Sequence, residues 1–175
     1  MENQVGSRGG FRAVSETSNG MSHYNVAVAF VIREFKPEDF ETVWRIDQEC
    51  FPPGISYTRP ELKGYMRGER SFTLVATNDE EAIMGFLVAR GGSIGHIITI
   101  EVHSSARRSG IGSGLLSGSE NRLYLAGCRA IELETAVDNS EALSFYKQHG
   151  YRVVGMRPRY YPNGVDALVL LKDLT

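Results

Sequence analysis

Apolar and polar positions change rhythm several times from Val26 onward, and each change marks an element. An apolar run reaches Phe35 and reads as a strand, after which Lys36-Pro37-Glu38-Asp39 sets a proline and acids where a helix begins. That helix extends to about Glu49 on an apolar stripe of Phe40, Val43, Trp44 and Ile46, and Pro52-Pro53-Gly54 forbids its continuation. A loop through Tyr57 leads to a short second helix over Pro60 to Arg67. Alternation predicts antiparallel strands over Phe72 to Thr77 and Ile83 to Ala89, joined at Asn78-Asp79, and a third strand over His96 to His103. The period turns helical from Ile111 to about Ala126. Ala130 to Val137 is the next strand, Ser140 to His149 a helix closed by Gly150, and Tyr151 to Arg157 with Asp166 to Leu171 a final hairpin. This order of elements predicts a mixed α/β layer fold.

Before that pattern starts, residues 1–24 are rich in Gly, Ser, Asn and Glu and lack an apolar period, the composition of a disordered tail. Met21 offers an alternative start. Residues 25–175 then form one domain, which the 175-residue length and 42% hydrophobic content suit. The net charge of -2 arises from interspersed acids and bases, so no global field favours a nucleic acid. Cys50 and Cys128 lack neighbours at metal-ligand spacing and read as reduced core thiols. The longest apolar run, Val26 to Ile32, is too short to span a bilayer, which predicts a soluble, cytoplasmic protein away from membranes.

Between the third predicted strand and the helix after it stands Arg107-Arg108-Ser109-Gly110-Ile111-Gly112-Ser113-Gly114. A helix N-terminus carries unpaired N–H groups and partial positive charge, and glycine lets backbone approach an anion without a Cβ between, so this segment suits a pyrophosphate. It is no nucleotide P-loop, because no Gly-Lys-Ser/Thr follows, and no dinucleotide fingerprint, because Leu115 stands where the third glycine belongs. Further on, alternation puts Ile131, Leu133 and Thr135 on one face of a strand and Glu132, Glu134 and Ala136 on the other. An acid in a covered central strand lies in a cleft or bears the cost of burial, and the cleft is the simpler explanation. Partial burial would raise such a carboxyl toward neutrality, suiting a general base. Asn139 or Asp138 caps the following helix, and Tyr146 on that helix packs beside Leu143 and Phe145.

Arg107, Gly110 and Gly112 match, position by position, the Gln/Arg-x-x-Gly-x-Gly/Ala motif of the GNAT acetyltransferases, and the chain resembles that superfamily over most of Val28 to Leu174. Leu133-Glu134-Thr135, Asn139, Phe145-Tyr146, Gly150-Tyr151 and the segment Arg157-Pro158-Arg159-Tyr160-Tyr161-Pro162-Asn163-Gly164 resemble the ribosomal-protein alanine N-acetyltransferases. Thr135-Ala136-Val137-Asp138 departs from the usual Val-Arg-x-Ser before the asparagine, and Gly118 from a strong pyrophosphate helix. The resemblance implies a GNAT fold: a mixed, mostly antiparallel sheet of about seven strands flanked by about four helices and splayed at the acetyl-CoA site. It implies acetyl-CoA as cosubstrate, held by backbone of Ile100 and Val102, by Arg107, Arg108, Ser109, Gly110, Ile111, Gly112 and Ser113 around the pyrophosphate, and by Asn139 and Tyr146. Glu134 is the implied base and Tyr146 the acid that protonates the departing thiolate. Phe51 and Tyr57 on one side, with Tyr160 and Tyr161 on the other, are the implied acceptor walls. Some members take the base from the preceding strand, so His96 and Glu101 compete with Glu134; strict alternation sets those two on opposite faces. Backbone N–H groups near Val102 can polarise the thioester carbonyl, so no metal is expected.

The implied acceptor is a primary amine. Neutralising a lysine at pH 7 costs about 3.5 kcal/mol more than neutralising a protein α-amine, which permits the N-terminus of a protein as acceptor, and the resemblance to the ribosomal-protein alanine N-acetyltransferases supplies the preference for it. A small-molecule amine is the alternative, and a catalytically silent acetyl-CoA-binding module the third reading; the enzyme is expected as monomer or homodimer.

Overall fold

The computed structural model describes residues 29–174, so the predicted tail over residues 1–24 lies outside the described residues. Seven strands form one sheet: β1 (Val31–Glu34), β2 (Ser71–Thr77), β3 (Ile83–Arg90), β4 (Gly95–Val102), β5 (Ala130–Ala136), β6 (Arg152–Arg157) and β7 (Ala167–Asp173), in the order β1-β2-β3-β4-β5-β7-β6. Four α-helices accompany them: α1 (Phe40–Cys50), α2 (Arg59–Arg67), α3 (Ile111–Leu125) and α4 (Ser140–Gln148). Every neighbouring strand pair is antiparallel except β4 and β5, which run parallel and are paired only at Gly95 with Ile131 and His96 with Glu132. The mixed α/β sheet expected from the element order is the sheet observed.

Alternation along the strands sorts the core into two layers. Leu74, Leu87, Ile97, Ile131, Leu133 and Leu170 pack on the α3 side against Leu115, Leu116 and Leu123. On the other face Val75, Phe86 and Val88 meet Phe40, Val43, Ile46 and Leu62 of α1 and α2. Local chemistry fixes the helix starts. Asp39, nearly buried, takes both Arg33 guanidinium nitrogens at 2.7 and 3.0 Å and the Lys36 amide at 2.7 Å, ahead of α1. Thr58 and Glu61 form a reciprocal capping box at α2, which therefore starts one residue before the expected Pro60. In α3, Gly114 lets the Phe30 ring lie where a Cβ would come within 2.7 Å of it, so that helix trades propensity for close packing on the sheet.

One irregularity matters for the site. In β3 and β4, Val88 faces Thr99 but Ala89 faces Ile97, so Ile98 is an extra residue in β4. This bulge reverses the alternation beyond it. His96 and Glu101, expected on opposite faces, pair with Arg90 and Phe86 and share the α1/α2 face.

Candidate active site

Beyond Gly95 and His96 the two parallel strands diverge, and a cleft of about 310 Å³ opens through the sheet between them. Its strand walls are Ile97 to Ile100 of β4 and Leu133 to Ala136 of β5. Phe51, Pro52, Ile55 and Tyr57 from the α1–α2 loop close one end with Tyr161, Asn163 and Val165 of the β6–β7 loop, while Asn139, Ala142 and Tyr146 of the α4 region close the other. Residues far apart in sequence thus meet because the sheet is split at one parallel seam.

Glu134 projects into this cleft with its side chain only 7% exposed. Its Oε2 shares a 2.7 Å hydrogen bond with His96 Nε2, and Arg157 lies 3.0 Å from Oε1. The hydrogen bond with His96, aided by the charges of His96 and Arg157, outweighs desolvation and holds the carboxyl below the usual carboxylate range. The rise toward neutrality expected from partial burial is therefore corrected: burial is real, but its effect is overridden by two partners. Arg157 reaches this face because it registers with Ala167, which faces Ala136, two residues from Glu134. Arg157 is not among the residues expected at the site; the alternation of the hairpin together with its register carries that signal.

Tyr146 is buried, with its ring edge-on to Phe145 and Tyr151 at 5.3 and 5.6 Å. Burial pushes its phenol well above the ordinary value, so it carries its proton at any physiological pH. Asn139, rather than Asp138, caps α4: its side-chain oxygen accepts the Ala142 amide at 3.0 Å, which leaves its NH₂ as donor. Desolvation, with Tyr160 and Glu134 nearby, pushes Tyr161 up to about 12. Tyr160 stands outside the cleft lining, 45% exposed and packed edge-on against Tyr161 at 5.2 Å.

The turn into α3 supplies a second feature. Arg108 and Gly110 adopt left-handed φ of 58° and 84°, and the first helical bond runs from Gly114 N–H to Gly110 O at 2.9 Å. The amides of residues 107–113 therefore have no backbone acceptor among the described residues, and Gly112 lies against Phe145, where a Cβ would stand 3.5 Å from the ring. That set of N–H groups fits a phosphate. Arg107 itself is turned toward β4, where its Nε donates to Val102 O at 3.3 Å, and Arg108 is exposed. Of the sequence-predicted residues, Ile100, Glu134, Asn139, Tyr146, Phe51, Tyr57 and Tyr161 meet at the cleft, Val102 and residues 107–113 follow at the α3 end, and Tyr160 is peripheral.

Among the described residues no group of three or more His, Cys, Asp and Glu could hold a metal ion, and no helix is long and apolar enough to cross a membrane. Cys50 and Cys128 are unpaired thiols, the first half-buried and the second buried.

Residues 40–151 match the model of the acetyltransferase (GNAT) family. The chain is 33% identical over 143 residues to an uncharacterized N-acetyltransferase of Methanocaldococcus jannaschii, covering 81% of this chain and 90% of that protein. It is 35% identical over 159 residues to an N-alpha-acetyltransferase of Sulfurisphaera tokodaii, covering 82% of this chain and 92% of that one. The crystal structure of Ard1 from Thermoplasma volcanium superposes with a TM-score of 0.77 at 29% identity, over 83% of this chain and 98% of that one.

Proposed function

Because the chain belongs to the acetyltransferase (GNAT) family, whose members use acetyl-CoA, we propose that it transfers acetyl to the N-terminal α-amine of a protein, with Glu134 and Tyr146 as its base and acid. One observation carries this reading: the seam between β4 and β5 gives an ionised carboxylate and a permanently protonated phenol access to the same cleft. The acyl donor enters from the α3 side, its pyrophosphate on the amides of Arg108 to Ser113 and its arm along Ile100, Val102 and Asn139. The acceptor enters from the opposite face, between Phe51 and Tyr57 on one loop and Tyr161 on the other, with Tyr160 at the rim.

The amine must lose its proton before or as it attacks the thioester carbonyl. Glu134 is fixed as the anion, so the proton passes to the Glu134–His96 pair, carboxylate and ring acting as one unit. The amine nitrogen bonds to the carbonyl carbon, the carbon–sulfur bond breaks, and the Tyr146 hydroxyl gives its proton to the departing thiolate. Glu101, though on the same face as His96, is buried under the acceptor loop and is the weaker candidate for base. The preference for an α-amine rests on the N-alpha-acetyltransferase relative, on the open two-loop acceptor walls, and on the lower cost of neutralising an α-amine; the alanine-type preference rests on the sequence resemblance.

Peptides beginning with Ala or Ser, offered with acetyl-CoA, should be turned over. The same peptides with a blocked terminus and an internal lysine should not. Equal or greater turnover of the blocked set, or of a polyamine or amino sugar, would overturn the acceptor assignment.

A further inference from the structure

Two carboxyl groups that the transfer chemistry does not use lie beneath the acceptor loop. Asp47 of α1 is fully buried and Glu101 of β4 is 3% exposed. Asp47 Oδ2 accepts the Tyr57 amide at 2.9 Å and the Gln48 side-chain amide at 2.8 Å. Gln48 in turn donates to the Tyr57 carbonyl at 2.9 Å, and Trp44 Nε1 donates to the same oxygen at 3.2 Å. Tyr57, at the end of the acceptor-facing loop, is thus held at both backbone groups by α1, and Asp47 is central to that hold. Glu101 Oε1 accepts the Thr99 hydroxyl at 2.8 Å.

The other two oxygens, Asp47 Oδ1 and Glu101 Oε2, are buried with no donor around them. Yet α1 packs on the face of β4 that carries Glu101, and each of the two carboxyls acts on the other's ionisation. Two carboxylates can satisfy one another only if one of them carries a proton. The titratable groups facing the pair do not offer a neutralising cation: Cys50 from α1, Tyr57 from the loop and Glu61 from α2 are neutral or acidic, and Arg107 is held at the Val102 carbonyl.

We propose that Asp47 and Glu101 share one proton, and that this acid pair is a positioning device that fixes the acceptor loop to β4 and lets go of it at alkaline pH. The proposal rests on the reading of Phe51 to Tyr57 as an acceptor wall. Burial raises both carboxyls; at Glu101 the Asp47 charge adds to it and takes the group well above the usual range, whereas the hydrogen bond from Glu101 works against the rise at Asp47. A raised acid keeps its contribution at low and neutral pH and loses it as pH climbs through the folded value, so the hold fails on the alkaline side. Neither residue touches the reacting atoms. Their effect is on where Tyr57 stands relative to Glu134.

Infrared spectroscopy and pH-resolved kinetics on the full chain test this together. The wild type should show the carbonyl stretch of a protonated carboxyl at neutral pH, absent from Glu101→Gln and lost on alkaline titration. Over the same titration the acceptor KM should rise by about tenfold, while kcat and the acetyl-CoA KM stay within about twofold. Glu101→Gln keeps a donor toward Asp47 without an ionisable proton, so its neutral-pH acceptor KM should stay within about threefold of wild type and its alkaline rise should vanish. A wild type with no protonated-carboxyl band overturns the proposal, as does a Glu101→Gln enzyme that retains the alkaline rise. If no peptide is turned over, the assigned acceptor falls, while the infrared band still decides the acid pair.

Discussion

At Glu134 two opposing effects meet. Desolvation favours the protonated acid; the hydrogen bond with His96, with the Arg157 guanidinium beyond it, favours the anion and wins. Glu134→Gln should lower kcat/KM by about 10²-fold or more, and a rate near wild type would move the role to His96. Arg157→Gln removes a cation, so Glu134 should titrate at higher pH and the acid limb of kcat/KM should move upward; an unmoved limb would show that Arg157 does not act on the carboxylate. Because the folded value is depressed, the ion-paired Glu134 contributes stability above the ordinary carboxylate range that is lost as pH falls through that depressed value. Urea titrations at stepped acid pH should therefore show a smaller pH slope for Glu134→Gln than for wild type. Glu134 itself was legible in the sequence as an acid on the cleft face of a strand. Its charge state was not, because that depends on Arg157, which only the hairpin register brings near, and on the exact approach of His96.

Among the elements, β4 departs furthest from what its sequence suggests. Its eight residues read as a regular strand, and the bulge at Ile98 has no proline or glycine to announce it. The stop after α1, the α4 cap and the strand-to-helix turn were readable because Pro, Gly and Asn act locally, whereas the Thr58 cap of α2 was not read. A bulge expresses competition between neighbouring strands, and no single window of sequence contains it. Gly85 on β3 shows how tightly this region is packed: a Cβ there would stand 2.6 Å from the Glu101 carbonyl oxygen and 3.2 Å from the Val102 Cα. Both are backbone atoms that cannot swing aside. Gly85→Ala should destabilise by about 1–3 kcal/mol and raise the acetyl-CoA KM, measured by chemical unfolding and steady-state kinetics. In contrast, Thr58→Ala should cost about 1 kcal/mol through loss of the α2 cap and leave that KM alone.

For the molecule as a whole, the cofactor reading makes a thermodynamic demand. Coenzyme A that binds only the folded chain should raise the unfolding free energy by about 2.7 kcal/mol at a hundredfold excess over its Kd, visible as a rise in Tm. Folded protein that shows no such rise would contradict the amide cradle at α3. Helix α3 packs across β1 to β4, whereas β5, β7 and β6 continue the sheet on the far side of the cleft. Among the described residues, strand pairing joins those two halves at Gly95 and His96, and one more backbone bond, from Arg129 N–H to Ser93 O at 3.2 Å, crosses beside them. The sheet resembles two covers on a short spine: each cover is laddered apart from its bulges, and the angle between them is set by side chains and loops, Glu120 of α3 taking the Tyr151 hydroxyl and the Lys172 ammonium of the far half. A rotation about that spine would change the width of the gap without breaking a ladder bond within either cover, and Glu134 and His96, seated beside the spine, would keep their separation.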